Sequence, residues 1–189
     1  MIILLAATCG LRRGEAIALR WEDVDLAKGT ITIVQSYTRG EKGHIFQEPK
    51  TTAGIRAIAL PQITIDALKK QKVLLAQDKL AAGAKYNDHG LVTQTKAGCP
   101  ISPCYFESRW RDMLQKSGLP RIRYHDLRHT HASLLILKDI NPKIVSERLG
   151  HSSVGITLDR YSHTYGVDYK AAEELNVILE TRNNTIIRA

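Results

Sequence analysis

The sequence contains little cysteine: Cys9, Cys99 and Cys104 are three of its 189 residues, and no two of them form a C-x-x-C pair. A disulfide scaffold or a zinc knuckle needs a different number and spacing of cysteines. We therefore interpret the three as reduced thiols, most simply as small residues of a hydrophobic core, and expect a cytoplasmic protein.

Long hydrophobic runs are also missing. No apolar stretch approaches the roughly 20 residues that are needed to cross a bilayer. The apolar opening, residues 1–7, has no basic residues before it and is too short for a signal peptide. These absences argue against secretion and against a membrane span.

What the sequence does contain is apolar residues and positive charge. Hydrophobic residues make up 43% of the chain, which is enough for one core of ordinary domain size. Lys and Arg number 27 against 19 Asp and Glu, so the net charge is +8. Such an excess favours a polyanionic partner, most simply nucleic acid.

The hydrophobic patterns predict a mainly α fold with a small three-stranded antiparallel β-sheet to one side (α+β). Alternating β-branched segments at 30–34, 44–47 and 55–60 predict a meander of three strands. Apolar periodicity, Asn or Ser caps, Pro and Gly predict the helices, which we place at 2–8, 12–21, 64–82, 103–117, 125–137, 142–149, 153–158 and 168–180. A short strand is expected at 91–92.

Four segments place polar groups among apolar neighbours: 10–15, 48–51, 125–128, and 149–151 followed by 159–161. Taken together they supply what phosphoryl transfer on DNA requires: a nucleophile, cations for the non-bridging oxygens and a proton donor. His125 and Arg128 are three residues apart, so a helix presents both on one face. Guanidinium groups bind phosphate through paired hydrogen bonds, and the sequence has no carboxylate cluster that would hold Mg²⁺.

The order of these segments resembles the catalytic boxes of the tyrosine recombinase (phage integrase) family, from about residue 3 to about residue 169. The pattern is an Arg, a Lys in a hairpin, H-x-x-R, and a His with a Tyr ten residues later. The resemblance implies six catalytic residues: Arg12, Lys50, His125, Arg128, His151 and Tyr161. It also implies that Glu15 supports Arg12 and that no cofactor or metal takes part.

The resemblance further implies the role of each group. Tyr161 attacks the scissile phosphate and forms a 3′-phosphotyrosyl link, while Lys50 protonates the departing 5′ oxygen. His125 accepts a proton, and His151 donates to a phosphate oxygen. Strands are then exchanged and rejoined without ATP, because the covalent link conserves the phosphodiester.

Several alternatives remain open at this point. Arg13 is adjacent to Arg12, and Tyr165 and Tyr169 are further hydroxyls near Tyr161. The histidines at 125, 129 and 131, with His163 in the same region, leave open a zinc site and hence a metal-dependent phosphoesterase, although no Cys lies at ligand spacing. Residues 144–161 resemble a helix-turn-helix, hence a DNA-binding regulator without catalysis.

The partners expected are double-stranded DNA and further copies of the chain. Five basic residues are predicted to contact the DNA backbone: Arg39, Lys42, Arg56, Arg121 and Arg123. The apolar stripe of 168–180 is expected to pack on a neighbouring subunit in a tetramer on DNA. Relatives carry core-binding and often arm-binding domains, so we expect residues 1–189 to be a catalytic domain truncated at its N-terminus.

Overall fold

The computed structural model describes residues 1–41, 43–49 and 54–161. Its helices are α1 (Ile2–Cys9), α2 (Arg13–Ala18), α3 (Gln62–Ala82), α4 (Pro103–Lys116), α5 (Tyr124–Leu137), α6 (Pro142–Leu149) and α7 (Val154–Tyr161). Its strands are β1 (Val24–Asp25), β2 (Thr30–Ile33), β3 (Ser36–Gly40), β4 (Gly43–Gln47) and β5 (Arg56–Ala59). The mainly helical prediction with a small antiparallel component is confirmed.

Local signals located most helix ends. Asn141 caps α6 by accepting a hydrogen bond from the main-chain N–H of Lys143, as the Asn-Pro pair predicted. The predicted helix over 12–21 is wrong in its second half, because α2 ends at Ala18 and a 3₁₀ turn follows at Trp21–Asp23. Arg20 is held extended there by a bridge to Leu91, within the short strand predicted at 91–92.

The predicted three-stranded meander is wrong. β2 pairs with β1 and with β5, whereas β4 pairs with β3 in a separate hairpin. Ile31 and Ile33 of β2 and Ile58 of β5 are buried, but none of the described residues of the β3–β4 hairpin is. Burial of these isoleucines therefore brings β2 and β5 together, although the hairpin separates them in sequence.

The main core lies between α1, α2, α3, α4, α5 and the three-stranded sheet. Cys9 belongs to it, but Cys104 is exposed, so the prediction of core cysteines is wrong for Cys104. A smaller cluster joins α5 to α6 through Ala132, Ile136, Val145 and Leu149. None of the helices in the described residues is both long and apolar enough to cross a membrane.

Gly10 allows α1, α5 and α6 to meet closely. It ends α1 with a left-handed backbone, φ 69°. A Cβ at this position would lie 2.7 Å from Cδ2 of Leu149 and 2.9 Å from Cδ2 of His131. Only glycine therefore fits at this position. The turn that it makes comes two residues before Arg12.

Candidate active site

Four side chains line one narrow cleft of about 340 Å³: Arg12, His125, Arg128 and His151. They come from three places in the chain. Arg12 directly precedes α2, His125 and Arg128 lie near the start of α5, and His151 follows α6. The fold therefore brings these two guanidinium groups and two imidazole rings to one concave surface, which the imidazole of His129 also lines.

Arg12 is held from two sides. Its Nη1 donates to Oε1 of Glu15 at 2.8 Å and to the carbonyl of Leu149 at 3.3 Å, and its Nη2 donates to the carbonyl of Gly150 at 3.0 Å. The side chain is 38% exposed. Arg12 is thus fixed in orientation while part of it still faces the cleft.

Arg128 is more deeply buried, with 4% of its surface exposed. Its Nη1 donates to the carbonyl of Gly10 and its Nη2 to the carbonyl of Leu149, both at 2.6 Å. These bonds fix the plane of the guanidinium at the wall of the cleft. The carbonyl of Leu149 accepts from Arg12 as well, so one main-chain group orients both arginines.

Two of the three histidines that line the cleft, His125 and His151, are in different environments. Partial removal of water lowers the pKa of His125, and the charges of Arg128, His129 and Arg12 lower it further. The lowered pKa favours the neutral form of His125, which is the form that accepts a proton. The Nδ1 of His151 lies 2.8 Å from Oγ1 of the buried Thr157, a contact that fixes the orientation of the ring.

Glu15 and Arg56 form a buried ion pair behind Arg12. Nη1 and Nη2 of Arg56 donate to the two carboxylate oxygens of Glu15 at 3.1 and 2.9 Å. Burial alone would raise the pKa of Glu15, but hydrogen bonds and charge from Arg56, with the charge of Arg12, hold it below its usual range. The prediction that Arg56 contacts the DNA backbone is wrong, because its side chain is only 6% exposed.

Sequence reasoning also missed His131 and Arg148. Arg148 Nε donates to Nε2 of His131 at 3.1 Å, so Nδ1 of His131 carries the proton and donates to the carbonyl of Ala7 at 3.0 Å. Burial, followed by the charge of Arg148, lowers the pKa of His131 to about 4. Arg148 also donates to the carbonyl of Ala59. These bonds tie α6 to α5 and to β5, and α5 to α1. No sequence pattern indicated them, since the partners are distant in sequence.

A wider cleft of about 1220 Å³ adjoins the narrow one and shares Arg12, His125 and His129 with it. Arg39 and Arg123, both predicted DNA contacts, line it. Arg121 is exposed and lines neither cleft.

Arg13, the alternative to Arg12, lines only the wider cleft and pairs there with Glu107.

Some predicted site residues lie outside the described residues: Lys42, Lys50, His163, Tyr165, Tyr169 and the helix predicted at 168–180. Tyr161 is the last residue of α7, and its side chain is not described. Within the described ranges, no three His, Cys, Asp or Glu side chains are grouped in a way that could hold a metal ion.

Residues 1–166 match the profile of the Phage integrase family. The chain belongs to this family. It is 34% identical over 174 residues to the tyrosine recombinase XerC-like protein of Caldanaerobacter subterraneus subsp. tengcongensis, which covers 86% of this chain and 44% of the relative. It is 32% identical over 163 residues to the ICEBs1 integrase of Bacillus subtilis, covering 85% and 44%. The chain thus spans about half the length of the curated relatives it matches, or less.

Solved structures share the fold. The Tn1549 transposon integrase in complex with transposon right end DNA superposes with a TM-score of 0.77 at 21% identity, over 94% of this chain and 57% of that one. The catalytic domain of bacteriophage HP1 integrase superposes with a TM-score of 0.56 at 19% identity, over 93% and 80%. The chain therefore has the fold of a tyrosine recombinase catalytic domain.

Proposed function

We propose that residues 1–189 are the catalytic domain of a site-specific DNA recombinase that acts through a covalent tyrosine intermediate. The observation that supports this most is the convergence of Arg12, His125, Arg128 and His151 on one narrow cleft. Two guanidinium groups with fixed planes match the geometry of a phosphate, and a neutral imidazole beside them is suited to accept a proton.

In this proposal the phenol oxygen of Tyr161 attacks the scissile phosphorus as its proton passes to His125. A bond forms from this oxygen to phosphorus, the bond to the 5′ oxygen breaks, and Lys50 supplies the proton for that oxygen. Arg12, Arg128 and His151 neutralise the charge on the non-bridging oxygens. Attack by a 5′-hydroxyl reverses the step and releases Tyr161, so neither ATP nor a cofactor is consumed.

The DNA duplex is proposed to occupy the wider cleft next to the reacting phosphate. Arg39 and Arg123 line this cleft and would contact the backbone; Arg121 and Lys42 remain proposed contacts from the sequence. We place the protein in the cytoplasm with the DNA of its host.

The proposed nucleophile is tested by covalent capture. The full-length protein is incubated with a nicked duplex that carries its candidate recombination site, and the mixture is separated on a denaturing gel. We expect a protein–DNA adduct that forms in EDTA and is absent in Tyr161→Phe, while DNA affinity is unchanged. Tyr165→Phe and Tyr169→Phe are the matched controls and should retain the adduct. An adduct in Tyr161→Phe would contradict the assignment, and loss of activity in EDTA would favour a metal-dependent phosphoesterase.

Self-association through the segment 168–180 is proposed from its sequence alone. The segment has an apolar stripe that needs a partner, and a second protomer on the same DNA would supply one. The stripe consists of Ala171, Leu175, Ile178 and Leu179. Deletion of the residues after Asp168 should weaken cooperative assembly on a two-site DNA in a mobility-shift assay. Unchanged cooperativity would contradict this assignment.

A further inference from the structure

Arg56 connects two parts of the proposed active site without facing the cleft. It lies at the start of β5 and is buried. Besides the paired bonds to Glu15, its Nε donates to the carbonyl of Arg148 at 2.7 Å, and its Nη1 to the carbonyl of Gly54 at 3.1 Å. All three guanidinium nitrogens are thus engaged within the protein.

One end of this connection leads to Arg12. Oε1 of Glu15, which accepts from Arg56, also accepts from Nη1 of Arg12 at 2.8 Å, and Oε2 accepts from the main-chain N–H of Arg12 at 2.9 Å. The carboxylate therefore holds both the backbone and the side chain of Arg12. Its own orientation is set by the two parallel bonds from Arg56.

The other end leads to the C-terminus of α6. Arg56 binds the carbonyl of residue 148, and the next two carbonyls, of Leu149 and Gly150, bind Arg128 and Arg12. Three arginines from three segments thus cap successive carbonyls where α6 ends. Cations are favourable at this end of a helix, and His151 follows directly.

We propose that Arg56 is a positioning residue for the cleavage reaction: by gripping Glu15 and the end of α6 together, it sets the distance between Arg12 and His151. This inference rests on the proposed function. It requires arginine, because a lysine ammonium cannot reproduce two parallel bonds to a carboxylate and a third to a carbonyl. Misplacement of a reacting group by about 1 Å is enough to cost about 10²-fold in rate.

The test is Arg56→Lys in the full-length protein, with single-turnover adduct formation measured on the nicked duplex at saturating protein. We expect the cleavage rate to fall about 10²-fold while the Kd for the duplex changes less than about twofold. The acid limb of the pH–rate profile should move to higher pH, because Glu15 loses the paired bonds that lower its pKa. Arg20→Lys is the matched control, because Arg20 also donates to a main-chain carbonyl, that of His89, but lines neither cleft.

The outcomes separate the two proposals. If the wild type forms an adduct and Arg56→Lys cleaves at the wild-type rate with an unchanged pH profile, the positioning role is wrong. It is equally wrong if Arg56→Lys and Arg20→Lys lose rate in parallel with their loss of thermal stability. If Arg56→Lys does not fold, Glu15→Gln breaks the same paired bonds from the other side, and a wild-type cleavage rate there would also overturn the inference. Absence of an adduct in the wild type would instead overturn the proposed function, and this inference with it.

Discussion

Arg123 and Arg128 lie five residues apart at the start of α5, and their environments differ. The side chain of Arg123 is 81% exposed and pairs with Asp126 of its own first turn. Arg128 is buried and donates to two carbonyls from α1 and α6. The charge of Arg123 is surrounded by water, whereas the fold fixes the orientation of the Arg128 guanidinium through its two carbonyl partners. If the proposed function holds, positive charge serves two purposes here: an exposed arginine adds affinity for DNA, and an anchored arginine orients a phosphate.

The two clefts differ in the same way, in whether their arginines are held by main-chain oxygens or exposed to water. The narrow cleft is walled by arginines whose guanidinium planes are set by main-chain oxygens, whereas Arg39 lines the wider cleft from the exposed β3–β4 hairpin. Anchored groups need little reorganisation when a charge develops, so they lower a barrier more than they raise affinity. Exposed groups release counterions, so they change affinity and its salt dependence.

The largest expected effect is that of Arg128→Ala. We expect the rate of adduct formation to fall by about 10²–10³-fold, because the proposed mechanism loses one donor to the transition-state oxygens. The dependence of DNA affinity on salt should stay nearly unchanged. Single-turnover cleavage and a salt titration of binding measure the two quantities.

Arg123→Ala is the matched variant on the same helix. It should cleave within a fewfold of the wild type at saturating DNA and lower the salt slope by about 0.9. If Arg123→Ala lost as much cleavage as Arg128→Ala, the distinction between anchored and exposed arginines would be wrong.

A second test concerns His131, which accepts a hydrogen bond from Arg148 and bonds to the carbonyl of Ala7. His131 is neutral in the fold with a pKa of about 4, against 6.5 as its ordinary value. The unfolded chain therefore binds more protons between these values, and the free energy of unfolding falls as pH drops from 6.5 towards 4. After allowance for solvent screening we expect His131 to contribute about 1–2 kcal/mol to this fall.

Urea unfolding of His131→Gln at several pH values measures this contribution. The variant should be less stable at neutral pH and should lose less stability between pH 6.5 and 4 than the wild type. An unchanged slope in His131→Gln would mean that His131 does not couple folding to pH.

The smallest expected effect is that of Arg39→Gln in the wider cleft. We expect DNA affinity to fall by about tenfold or less and the salt slope to decrease by about 0.9, with cleavage at saturating DNA unchanged. Arg111→Gln, an exposed residue of α4 that lines neither cleft, should change neither quantity. A cleavage defect in Arg39→Gln at saturating DNA would mean that Arg39 contributes to the reaction, as is proposed for Arg12 and Arg128.

Local chemistry accounts for what could be predicted. Helix periodicity predicted α3, α5 and α6, and Asn141 with Pro142 located the start of α6. The three-residue spacing of His125 and Arg128 was enough to put both in one cleft once α5 was helical. The strand pairing was predicted wrongly because it is non-local. β2 pairs with β5, whose Ile58 is buried opposite Ile31, and nothing in the sequence between the two strands indicates this pairing.

The environment of Arg56 could not be predicted from the sequence. The amino-acid sequence by itself determined the helices, the net charge of +8 and the spacing of the polar groups, since these depend on neighbours in the chain. Whether an arginine meets water or Glu15 was decided only by the tertiary structure. The physical reason is that burying a guanidinium is tolerable only where a carboxylate and carbonyls surround it, and those partners come from α2 and α6, distant segments that only folding brings to β5.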